Sequence, residues 1–279
     1  MPYNAEISRA NPSLFLFLID QSGSMDDPLG SSETGRKKAD ELADVMNRTL
    51  FELTLKCAKD EGVRDYYDIG ILGYGNQVAP AFAGALSGRE IVPIGELGNM
   101  PARVEDRVKR VPDGAGGLVD QPIKFPIWID PVHNGGTPMC QAFSKAKSIL
   151  NSWVSAHSNS FPPIVINITD GESTDGDPGE IASSITKLST NDGSILVFNI
   201  HLSSAHAAKI EYPGSPDSLP DQYAKLLFNM SSPLTDFMKM EAQKEGFNAP
   251  NGARGFVFNA DLVSLIKFLD IGTRPSNLR

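Results

Sequence analysis

Two hydrophobic rhythms alternate along this chain. Leu14 to Ile19 is an unbroken apolar run, the pattern of a strand buried on both faces of a parallel sheet. From Ala39, apolar residues return every third or fourth position at Leu42, Ala43, Met46, Leu50, Leu53 and Cys57, which predicts an amphipathic helix ending near Gly62. Tyr67 to Tyr74 is apolar and β-prone, and Val78 to Phe82 is expected to continue it after a Gly-Asn kink. Met139, Ala142, Phe143, Ala146, Ile149, Leu150 and Trp153 repeat the helical spacing. Ile164 to Thr169 and Ser194 to Ile200 are further buried-strand runs.

Between those two runs, Asp177-Pro178-Gly179-Glu180 predicts a helix start, with Asp as cap, Pro in the first turn and Glu three residues on. Ile181, Ile185 and Leu188 form its inner face. Ser232-Pro233 is expected to open a helix running to Gly246, followed by a strand at Gly255 to Phe258. Leu262, Leu265, Ile266 and Leu269 predict a closing helix. Strands alternating with helices of this length predict an α/β fold, a doubly wound, mostly parallel central sheet flanked by helices. The expectation is one domain over 1–279, with its core at about 13–270. Two stretches break the rhythm. Residues 84–130, with five prolines and a Gly114 to Gly117 run, predict an irregular insertion carrying a hairpin or short helix. Ser203 to Pro220 predicts a loop.

Composition narrows the function classes. A net charge of −9 argues against a general nucleic-acid binder, which needs a basic stripe to displace counterions. The two basic clusters, Arg36-Lys37-Lys38 and Arg103 to Arg110, read as solvated faces. No stretch approaches the roughly 20 apolar residues of a membrane span, so no membrane association is expected. The first residues lack the basic start and apolar core of a secretory signal. Cys57 and Cys140 read as reduced core residues, and a cytoplasmic location is expected.

Candidate chemistry lies where the apolar runs stop. In an open α/β sheet, ligands bind beyond the carboxyl ends of the strands. Three polar clusters sit there: Asp20-Gln21-Ser22-Gly23-Ser24, Asn134-Gly135-Gly136-Thr137-Pro138, and Thr169-Asp170-Gly171-Glu172. Each alone has a plain reading. Ser22 and Ser24 suit a turn or cap, Thr137 a helix N-cap with Pro138 behind it, and Asp170-Gly171 a turn.

Together, Asp-x-Ser-x-Ser after a strand, Gly-Gly-Thr-Pro before a helix and Thr-Asp-Gly after another strand resemble the von Willebrand factor A domain. The resemblance covers roughly Ser13 to Asp270. It implies a Rossmann-like fold and a metal-ion-dependent adhesion site formed by Asp20, Ser22, Ser24, Thr137 and Asp170. Hydroxyl and carboxylate oxygens are hard ligands suited to Mg²⁺, Mn²⁺ or Ca²⁺. By similarity to the family, Ser22, Ser24 and Thr137 bind directly, while Asp20 and Asp170 bind through water or hydrogen-bond the hydroxyls, with Asp170 sometimes direct. An Asp or Glu of a protein partner then completes the coordination. The resemblance thus implies a non-enzymatic, divalent-cation-dependent adaptor or scaffold, in the setting of stress-response or signalling modules. The 84–130 insertion is a candidate for partner choice, or a cover for a sheet edge. Gly23 and Gly171 are expected to let backbone approach the ion.

Rival readings fail on single residues. A haloacid-dehalogenase-like, Mg²⁺-dependent phosphatase needs a second Asp two positions after the first, where Ser22 stands. A serine hydrolase needs Gly-x-Ser-x-Gly, and no Walker loop or Gly-x-Gly-x-x-Gly follows a strand. The acidic run from Asp170 to Glu180 fails as an EF-hand, because Gly falls at neither sixth position. Asp26 and Asp27 are expected to face solvent, and Glu172, Asp175 and Asp177 to serve capping and solvation. His133 is expected near the second loop, and the four histidines form no catalytic or zinc group.

Overall fold

The computed structural model describes residues 2–29, 35–112, 114, 117–202, 208–260, 264 and 266–268. Its strands are β1 (Ser13–Asp20), β2 (Ala58–Lys59), β3 (Gly62–Val63), β4 (Tyr67–Tyr74), β5 (Val78–Pro80), β6 (Val92–Pro93), β7 (Arg103–Pro112), β8 (Leu118–Ile127), β9 (Ile164–Thr169), β10 (Ser189–Thr190), β11 (Gly193–Ser194), β12 (Leu196–Leu202), β13 (Ile210–Glu211) and β14 (Phe256–Ala260). The helices are α1 (Lys38–Cys57), α2 (Ile94–Asn99), α3 (Met139–Ala156), α4 (Gly179–Ile185), α5 (Gln222–Met230) and α6 (Asp236–Lys244).

The main sheet runs β13-β14-β12-β9-β1-β4-β5, with β6 also on β4. From β14 to β4 every pairing is parallel, and β13, β5 and β6 add antiparallel edges. The fold is therefore the expected α/β class, with a mostly parallel sheet between helical layers. Period-2 alternation sorts β1 between the layers. Phe15, Phe17 and Ile19 pack with α1, α2 and α6, while Leu14, Leu16 and Leu18 pack with α3, α4 and α5. A buried polar chain crosses the second layer: Tyr74 Oη donates to Asn167 Oδ1, Asn167 Nδ2 to Asn199 Oδ1, and Asn199 Nδ2 to Ser231 Oγ. Each amide is satisfied, as burial demands. No described helix is long and apolar enough to cross a membrane.

Several expectations are corrected. Val78–Pro80 turns back antiparallel on β4 instead of continuing it. α1 stops at Cys57, where the β2–β3 ribbon begins. The predicted loop at 203–220 includes β13 on the sheet edge, with 203–207 outside the described residues. α6 starts at Asp236 behind the Thr235 cap, because Ser232 is tied to Val197 through its backbone N–H and its Oγ. α5, which no pattern reading anticipated, is capped by the Asp221 side chain on Ala224 N. In the closing segment Leu262, Leu265 and Leu269 lie outside the described residues, while Ser264 and Ile266 to Phe268 are helical. The 84–130 stretch is largely regular: α2, then a hairpin of ten residue pairs between β7 and β8.

Candidate metal-ion site

β1 lies between β4 and β9, both parallel to it, and the chain leaves it for β4 on one side and returns later to β9 on the other. Where strand order reverses in this way, the two following loops diverge and leave a crevice. Asp20 ends β1, and Asp170 follows β9 directly. The second loop, ahead of α3, is stitched to the first: Asn134 N donates to Gln21 O at 2.6 Å and Gly23 N to Gly135 O at 2.9 Å. The third loop is stitched to the second. Thr137 N donates to Thr174 Oγ1 at 3.0 Å, and Thr174 N to Thr137 O at 2.9 Å.

The glycines that this packing requires are not those expected. An added Cβ at Gly75 would lie 2.5 Å from Asn134 O, and at Gly135, with φ +87°, 2.5 Å from Asn76 N. Around Gly23 there is ordinary room. At Gly171 an added Cβ would sit 3.8 Å from Thr137 Oγ1 and 3.9 Å from Ser24 Oγ. Those two hydroxyls, 113 residues apart in sequence, therefore flank one space.

Within the crevice the aspartates are occupied in orienting other groups. Asp20 Oδ1 accepts from Ser22 N at 2.8 Å, and Oδ2 from Thr169 Oγ1 at 2.7 Å. Asp170 Oδ1 accepts from Ser24 Oγ at 2.7 Å, and Oδ2 from Lys38 Nζ at 2.6 Å. Ser22 Oγ and Ser24 Oγ are 3.1 Å apart. Asp20 is fully buried, and burial pushes its carboxyl up to about 6; hydrogen bonds from Ser22 and Thr169 oppose that rise, and Asp170 adds to it.

All five residues singled out in the sequence thus contribute to three adjoining, cross-bonded loops. The arrangement suits a hard divalent cation in three respects. Adjacent oxygens of an octahedral Mg²⁺ shell are separated by about 3 Å, the spacing of the two serine hydroxyls. The Ser24 hydroxyl donates its hydrogen bond to Asp170, which leaves oxygen lone pairs for a cation. The Thr137 hydroxyl engages no other described residue. Among the described residues no three His, Cys, Asp or Glu side chains gather as a metal site.

Two expectations change. Thr137 does not cap α3; Asp175 does so from the third loop, accepting from Cys140 N at 2.9 Å and Gln141 N at 3.0 Å. That leaves the Thr137 hydroxyl to the crevice. Lys38 does not belong to a solvated basic face: it is 4% exposed and ion-paired to Asp170. Pattern reading also missed Thr169, whose hydroxyl holds Asp20. The available signal for Lys38 was a cation opening an apolar helix, against the helix dipole. Asp26 and Asp27 are exposed as expected, and His133 Nδ1 lies 3.2 Å from Asp26 Oδ1 in the first loop. Both cysteines are free thiols.

No protein-family model matches the chain, and no curated protein matches it. Among solved structures it is similar to a von Willebrand factor type A protein from Catenulispora acidiphila. That alignment has 12% identity and a TM-score of 0.45, and covers 95% of this chain and 43% of that one. It is also similar to the ArnB paralog VWA2 from Sulfolobus acidocaldarius, with 15% identity and a TM-score of 0.34 over 70% of this chain and 36% of that one. A third similarity is to three N-terminal domains of the type V pili tip protein Mfa5 from Porphyromonas gingivalis. There the identity is 13% and the TM-score 0.29, over 58% of this chain and 20% of that one. The chain spans less than half the length of each.

Proposed function

We propose that this is a non-enzymatic protein-binding domain whose three-loop crevice holds Mg²⁺, or Mn²⁺ or Ca²⁺, and receives an Asp or Glu side chain from a protein partner. One observation carries the reading: all four oxygens of Asp20 and Asp170 are engaged, by Ser22 N, Thr169 Oγ1, Ser24 Oγ and Lys38 Nζ, beside the Ser22, Ser24 and Thr137 hydroxyls of three adjoining loops. Ser22, Ser24 and Thr137 would hold the cation, with Asp20 and Asp170 fixing the hydroxyl and backbone geometry. When bound, the cation supplies an electrophilic coordination position, because its protein ligands are neutral. A cleft of about 400 Å³ lined by Gln21, Asn76, Asp130 and Asn134 adjoins the first two loops and suits the residues flanking a partner's carboxylate.

The β7–β8 hairpin supports a role in partner choice, since Val104, Val108, Leu118 and Val119 on it are exposed. An adaptor or scaffold in a stress-response or signalling module, in the cytoplasm, is the setting this reading favours. The phosphatase alternative is disfavoured by Asp20 itself. Both of its oxygens already accept hydrogen bonds, and Ser22 offers no titratable acid near neutrality.

The test is retention of protein partners on the immobilised chain in Mg²⁺ and in EDTA, alongside Asp20→Ala. Retention that EDTA and the substitution both abolish supports the reading; equal retention in all three overturns it. Phosphate-ester turnover lost in Asp20→Asn would establish the enzyme instead.

A further inference from the structure

Lys38 opens α1 almost wholly buried, at two costs. A buried ammonium gives up hydration that only close partners replace. A cation at a helix N-terminus also opposes the macrodipole. Its surroundings offset both. Nζ lies 2.6 Å from Asp170 Oδ2, 3.2 Å from Ser24 O and 3.9 Å from Asp27 Oδ2. The first two are hydrogen bonds, and the third is a longer ion pair. The Asp170 carboxylate bridges the ammonium and the Ser24 hydroxyl, so both of its oxygens are engaged.

We propose that Lys38 is a tethered counter-cation of the metal site, which keeps Asp170 out of direct coordination, lowers the affinity for the bare cation and makes an external carboxylate necessary for firm binding. The inference rests on the divalent-cation reading above. Counting formal charges gives its reason. Asp20, Asp170 and Lys38 sum to −1, so a divalent cation leaves the crevice at +1, and one incoming carboxylate brings it to neutrality. Without Lys38 the cation and two aspartates would already be neutral, and the same carboxylate would enter against no net attraction. Asp27 is largely exposed and screened by water, so it changes this balance little. Lys38 is a positioning residue: it acts on the cation through Asp170.

The test is Mn²⁺ titration, followed by electron paramagnetic resonance, of the full chain and of Lys38→Met, Lys38→Gln and Lys38→Arg. Lys38→Met and Lys38→Gln are expected to bind Mn²⁺ at least about tenfold more tightly, and Lys38→Arg within a few-fold of the original. Acetate, as a free carboxylate probe, should tighten Mn²⁺ binding by the original chain and not by Lys38→Met. In EDTA, Lys38→Met should melt lower, because Asp170 keeps its burial and loses its cation; Mn²⁺ should then raise its melting temperature more than that of the original. Lys38→Gln keeps a donor for Asp170 and carries the test if Lys38→Met does not fold. Equal or weaker Mn²⁺ binding by a folded Met or Gln variant overturns the role of Lys38 and leaves the metal site standing. Binding by neither the original nor the variants overturns both. Binding by the variants alone supports the counter-cation and overturns a metal-loaded original.

Discussion

Asp20→Asn should make the metal-free protein more stable while removing its response to metal. Asp20 is buried among neutral donors, and Asp170 already has Lys38. With its carboxyl raised from 3.8 to about 6, the ionised side chain is worth about 3 kcal/mol less in the fold than in the unfolded chain at neutral pH. Asparagine removes that charge at similar volume. Its carbonyl can accept from Ser22 N, and Thr169 can turn its hydroxyl to Gly171 O, 3.0 Å away. The sign follows from the direction of the change. A raised carboxyl binds its proton more tightly in the fold, so the penalty is absent below pH 3.8 and complete above about 6. At about 2–4 °C per kcal/mol for a chain of this size, Asp20→Asn should raise the melting temperature in EDTA at pH 7.5 by about 6–12 °C. That gap should close on acidification from 6 to 4. Mg²⁺ at about 1,000-fold excess over Kd should reverse the order, since it stabilises the original by about 4.1 kcal/mol and the variant not at all. Calorimetric melting of both proteins across pH, with and without Mg²⁺, reads all three effects. A lower melting temperature for Asp20→Asn in EDTA, or a gap that does not change with pH, would refute the burial account of Asp20.

Thr137→Val should reduce Mn²⁺ affinity at least about tenfold, with melting in EDTA almost unchanged, because the hydroxyl caps nothing. Asp175→Ala should instead cost about 0.5–2 kcal/mol in denaturant unfolding, by leaving Cys140 N and Gln141 N without their acceptor. Gly135→Ala should cost more than about 1 kcal/mol and weaken Mn²⁺ binding, since it strains a positive φ and drives a Cβ into Asn76. His201, stacked on Phe258, is pushed down to about 4 by burial, against the opposing pull of Asp170 and Asp221. It should show no imidazole titration by NMR between pH 8 and 5. A lowered histidine withholds its proton in the fold, so its contribution is complete above 6.5 and is lost as pH falls toward 4.

Much of the candidate site was legible because its parts are local. A buried strand must end, and what ends β1 and β9 is visible as Asp20-Gln21-Ser22-Gly23-Ser24 and Asp170-Gly171 beside apolar runs. The helical period likewise revealed α1 and α3. α5 went unread although Asp221 and the Ala224, Leu227, Phe228 spacing were there, because the stretch before it looked irregular. The insertion was expected to carry a hairpin or short helix but read as irregular, since its two-stranded ribbon is exposed on most of its length and so lacks alternating burial.

The sequence by itself determined the strand runs, the class of sheet, and which oxygen-bearing residues stand at the strand ends, because burial on both faces of a parallel sheet and helical amphipathicity are written in neighbouring positions. The tertiary structure decided how those oxygens are used. Asp175 took the cap that Thr137 was expected to make, and Asp20 turned to Thr169 and Ser22. Lys38 is the plainest case: its pattern reads as a surface cation, and only the loop after β9, 132 residues further on, supplies the carboxylate that makes its burial tolerable. A charge can enter a protein interior only where its partner is already fixed, and nothing local in a sequence states where that partner will be.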